Sequence, residues 1–94
     1  MANKITVGLN LFTIDQKVIV SSASGDVLLT ANVPLDRIGE TVAALAQTHD
    51  VDKVNLFGQD DFVSQPAYDT KFYLNKLFSE NNNVRIFING EIFN

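Results

Sequence analysis

Cysteine is absent from the 94 residues, which removes disulfides, thiolate nucleophiles, zinc fingers and iron–sulfur clusters together. Histidine occurs once, at His49, so a nucleophilic triad would have a single candidate base. His49 follows an expected helix beside Asp50, where it suits the partial negative charge of a helix C-terminus rather than proton transfer. The five glycines (Gly8, Gly25, Gly39, Gly58, Gly90) never form GxGxxG or a Walker loop, so nucleotide binding lacks a motif. Long apolar runs are also missing. Nothing of signal-peptide length follows Met1-Ala2-Asn3-Lys4, and no segment approaches the roughly 18 to 20 apolar residues that span a bilayer. A soluble, cytoplasmic protein with no membrane partner is expected.

Positive charge is sparse. Seven basic residues face eleven acidic ones, for a net charge of −4. Lys4, Lys17, Arg37, Lys53, Lys71, Lys76 and Arg85 are scattered singly along the chain rather than gathered into a stripe, which disfavours unaided nucleic-acid binding. Asp50, Asp52, Asp60 and Asp61 are closer together, with Lys53 among them. They read either as solvated loops flanking a strand or as a mild acidic patch facing a basic partner. No cofactor is expected, and Asp60-Asp61 alone is too local to be more than an acidic loop.

What is present is patterning. An apolar fraction of 46% over 94 residues suits one globular domain, residues 1–94, with no linker or repeat. Lys4 to Ile14 alternates as a strand, with Ile5, Val7, Leu9 and Leu11 on one face. Asp15-Gln16 reads as a tight turn. Lys17–Ser22 and Asp26–Val33 are two further β-rich runs joined through Ala23-Ser24-Gly25, so an antiparallel meander of three strands is expected. Pro34 suits the first turn of a helix reaching Thr48, whose inward face would carry Leu35, Ile38, Val42, Leu45 and Ala46. Lys53–Phe57 reads as a buried parallel strand closed by Gly58. Gly58–Ala67 is a loop, Tyr68–Glu80 a second helix ended by Asn81-Asn82-Asn83, and Val84–Ile88 a last strand. Asn89-Gly90 is a strong turn dipeptide, so Glu91–Asn94 is positioned to return as a hairpin stub.

The order βββαβαβ resembles the minimal ribonuclease H-like fold, an α/β mixed five-stranded sheet with two crossover helices. Ile5-Thr6-Val7-Gly8-Leu9-Asn10 resembles the first-strand motif of Holliday-junction-resolvase-like members, in which an aspartate normally takes the place of Asn10. Val54-Asn55-Leu56-Phe57-Gly58 resembles the fourth strand, which ends near an acidic group in active members. The resemblance implies a Mg²⁺-dependent nuclease site built around Asn10, Asp60 and Asp61. The chain departs from that pattern because Asn10 offers only a neutral oxygen. Glu40, the helical acid, lies roughly 170° from the core-facing direction and points to solvent. The expectation is therefore a non-enzymatic protein-interaction module with no catalytic residue. A divergent nuclease is one alternative, and an acidic inhibitor of a basic nucleic-acid-binding partner is another.

Aromatic surplus suggests where contact would occur. On the second helix Tyr73, Leu74, Leu77 and Phe78 share one arc, while Tyr68 and Phe72 point nearly opposite. Phe62 and Val63, in the preceding loop, either cover Tyr68 and Phe72 or join them in an exposed patch. The terminal segment carrying Phe87 and Phe93 reads as a sheet edge, either closed by its own hairpin or open to a second copy or a partner's strand. The interaction surface is thus expected at Phe62, Val63, Tyr68, Phe72, Phe87 and Phe93, with a protein partner or a homodimer as its occupant.

Overall fold

Alternating burial along the strands assigns one face of a mixed α/β sheet to the core and leaves the other open to solvent. The computed structural model describes residues 2–10, 12–58, 70, 72–76 and 84–93. Six strands, β1 (Asn3–Leu9), β2 (Asp15–Ser21), β3 (Val27–Pro34), β4 (Val51–Gly58), β5 (Arg85–Ile88) and β6 (Glu91–Ile92), lie in the order β3-β2-β1-β4-β5-β6. β1 is antiparallel to β2 and β2 to β3, β4 is parallel to both β1 and β5, and β6 is antiparallel to β5. Helix α1 (Ile38–Thr48) connects β3 to β4, and a second helix, α2, includes residues 70 and 72–76 between β4 and β5.

The helix-facing side is a layer of branched aliphatics. Ile5, Val7, Val18, Val20, Val54, Leu56 and Ile86 are buried from the sheet, and Ile38, Val42 and Leu74 from the helices. Each fully buried side chain of this kind contributes about 1.5–3 kcal/mol relative to exposure. β4 lies between two parallel neighbours, and its VNLF run supplies Val54 and Leu56 to the core. Both helices lie on this same side: a Cβ added at Gly39 in α1 would stand 2.6 Å from Cδ1 of Tyr73 in α2. The rings of the second helix divide differently from the expected arc, since Leu74 is buried but Tyr73 is half exposed over Gly39.

Several boundaries differ from the sequence reading. β1 ends at Leu9 rather than Ile14, and Asp15-Gln16 opens β2 instead of forming the turn. The chain turns between the two strands instead, where side-chain hydrogen bonds of Asn10 and Thr13 close it. Pro34 ends β3 with φ −57° and ψ 146°, an extended conformation that directs the chain out of the sheet. A single 3₁₀ turn, Leu35–Arg37, then precedes α1. Ile38, Val42 and Ala46 form the buried stripe of α1, flanked by partly buried Leu35 and Leu45.

The expected five strands become six at the C-terminus. Asn89 and Gly90 both have positive φ, 49° and 87°, the backbone requirement of a two-residue hairpin loop of type I′. Phe87 pairs with Ile92 across it. β5 is therefore covered on both sides and is not the sheet edge that its apolar sequence suggests. The edges among the described residues are β3 and the two-residue β6.

Candidate interaction surfaces

Of the expected contact residues, the three that are described, Phe72, Phe87 and Phe93, lie on different parts of the fold. Phe87 is half-buried on the open face of the sheet, beside Ile92. Phe93 is also half-buried but packs against the helix-side core, its N–H donating to the Ile86 carbonyl at 2.7 Å. Phe72 is half exposed on α2, in the helical layer. Phe62, Val63 and Tyr68 lie outside the described residues, as do Asp60 and Asp61.

Asn10, the residue at the implied metal position, serves a turn. Its Oδ1 accepts the Phe12 N–H at 3.0 Å, and its carbonyl accepts the Thr13 N–H at 3.2 Å and the Thr13 hydroxyl at 3.1 Å. Gln16, buried below the loop, completes the arrangement. Its Nε2 donates to the carbonyls of Asn10 and Thr13, both at 3.0 Å, and its Oε1 accepts the Asn10 N–H. This scaffold holds two large apolar side chains outward: Phe12 is 89% exposed and Ile14 85%. Among the described residues, no group of three His, Asp or Glu side chains is placed to hold a metal ion. Glu40 is exposed on α1, as its helical position predicts. His49 caps α1, its N–H donating to the Leu45 carbonyl at 3.0 Å and its carbonyl accepting from Asn3 Nδ2.

An unanticipated apolar surface is β3. Val27 is 63% exposed, Leu28 50% and Leu29 37%. A bulge opposite Val20/Ser21 interrupts the ladder at this end, whereas Leu29 to Pro34 pairs regularly with β2. From Val27 to Val33 the strand has no charged residue, proline or glycine. Natural sheet edges usually carry such residues to prevent strand addition. Their absence from this segment was visible in the sequence, but only the strand order reveals that the segment is an edge. The opposite edge differs, since β6 has two residues and begins with Glu91.

No helix of the described residues is long and apolar enough to cross a membrane. No protein-family model matches the chain, and comparison with curated proteins likewise finds no match.

Proposed function

We propose that this protein is a non-enzymatic interaction module on a degenerate ribonuclease H-like scaffold, and that β3 is its primary contact, pairing with β3 of a second copy. The scaffold reading is supported by the β3-β2-β1-β4-β5 order, a meander followed by two helical crossovers. Use of Asn10 in a turn favours the non-enzymatic reading.

The observation that carries the proposal is an uncharged regular edge, Leu29–Val33, next to exposed Val27 and Leu28. Its sequence is self-complementary about Ala31. In an antiparallel pair centred there, Leu29 of one copy lies beside Val33 of the other on the helix side. Thr30 lies beside Asn32 on the open side, and no like charges meet. A single strand edge is at the small end of stable interfaces, so association depends on concentration.

The test uses Thr30→Glu with Asn32→Glu. Both positions are exposed, so the folded monomer tolerates them, while both open-side cross-strand pairs in the dimer become carboxylate against carboxylate. Light scattering across a concentration series is expected to show a dimer for the natural sequence and a monomer for this variant. Mixing it with Thr30→Lys plus Asn32→Lys restores a dimer. A natural protein that stays monomeric throughout the series would refute the proposal.

A further inference from the structure

The open face gathers charge that the linear sequence disperses. Lys4 pairs in register with Lys53, and Lys53 with Arg85, placing three cations abreast on β1, β4 and β5 across about 10 Å. Burial alternation assigns them to the face opposite the core: Ile5, Val54 and Ile86 are buried, while Lys53 and Arg85 are exposed and Lys4 partly so. Lys17 is exposed on the same face, opposite Gly8. Four of the chain's seven basic residues thus share one side of the sheet. The acids of the described strands lie at its margins. Asp15 opens β2, Asp52 is the extra residue where β4 shifts register against β1, and Glu91 pairs with Ile88 on the core side.

Planar apolar surface lies among these cations. Phe87 is two residues beyond Arg85 on β5, with Lys53 Nζ 4.9 Å from its ring centroid. Phe57 lies diagonally across on β4, two residues past Asn55, the register partner of Phe87, a separation of about 7–8 Å. Beside Phe57, Gly8 leaves the sheet bare, and a Cβ placed there would meet nothing within 4 Å.

We propose that this face binds single-stranded nucleic acid, with Lys4, Lys53, Arg85 and Lys17 on phosphates and with bases stacked on Phe87 and Phe57 over the Gly8 clearing. Every base presents a π-face, so rings among cations make a sequence-tolerant platform. A second copy is excluded as occupant because like rows of cations would meet. An acidic peptide would satisfy the charges but has no use for the bare, ring-flanked clearing. The face adjoins the β3 edge where Lys17 pairs with Asn32, but neither proposal requires the other.

The test is fluorescence anisotropy with a labelled oligothymidine of about 12 nucleotides. Saturable binding is expected at low salt. With three or four phosphates engaged and a log–log slope of about −0.7 per phosphate, affinity falls roughly 20- to 50-fold from about 50 to 200 mM salt. Lys53→Glu with Arg85→Glu is expected to weaken binding at least about tenfold and to flatten the slope by about 1.4. Phe57→Ala, at an exposed position, weakens binding about fivefold or more with the slope unchanged. Circular dichroism melts of each variant separate loss of binding from loss of fold. Absence of binding at low salt would overturn the proposal. So would equal affinity for polyglutamate that is unaffected by Phe57→Ala, which would assign the face to an acidic protein.

Discussion

Gln16 shows how one polar side chain sets a loop. It is buried, and its amide satisfies three backbone groups of residues 10 and 13 that the strands leave unpaired. Gln16→Leu preserves approximate volume but takes this partner from the Asn10 N–H and the Thr13 carbonyl, while the Asn10 carbonyl keeps Thr13. Leaving such groups unsatisfied costs about 1–3 kcal/mol, so urea unfolding of this variant should show a loss of about 2–3 kcal/mol. Asp50 presents the opposite case. It follows the α1 C-terminus with φ 51°, a left-handed conformation that favours glycine, and places negative charge at the negative end of the helix. Asp50→Gly is expected to raise stability by up to about 1 kcal/mol by the same assay, and a loss would show that the carboxylate has a stabilising partner.

At the scale of elements, the α1–α2 contact depends on Gly39 lacking a side chain. An alanine there ordinarily stabilises a helix by up to about 1 kcal/mol, but its Cβ would stand 2.6 Å from the Tyr73 ring. Gly39→Ala alone should therefore destabilise the protein. Combined with Tyr73→Ala it should cost less than the two single changes summed, and strict additivity in a double-mutant cycle would mean that the ring does not press on α1. The strands show the same dependence on neighbours. The VRIFI segment reads by composition as an edge either open or closed by its own hairpin, and Asn89-Gly90 closes it with β6. The quieter VLLTANV segment becomes the long edge because no strand among the described residues lies beyond it on that side of the sheet.

At the scale of the molecule, periodicity made the elements and core legible from sequence. Ile5, Val7, Ile38 and Val42 occupy the interior that their spacing predicts, and Val54 and Leu56 the interior expected of the apolar Lys53–Phe57 run, whose Phe57 is exposed instead. The surfaces were less legible because they depend on register between distant strands. Lys4, Lys53 and Arg85 are far apart in the chain and adjacent only once β1, β4 and β5 align. Phe87 and Phe93, six residues apart, lie on opposite faces because the hairpin reverses between them. The turn after β1 was less legible for a local reason, since apolar alternation through Phe12 and Ile14 masked the turn-forming Asn10 and Thr13.

The central claim is that Leu29–Val33 is a pairing edge occupied by a second copy. Amide hydrogen exchange of this segment, followed from dilute to concentrated protein, tests it most directly. The account predicts that exchange along β3 slows as concentration rises, that β1 and β4 are unaffected, and that Thr30→Glu plus Asn32→Glu abolishes the dependence. Exchange along β3 that is the same at every concentration would contradict it.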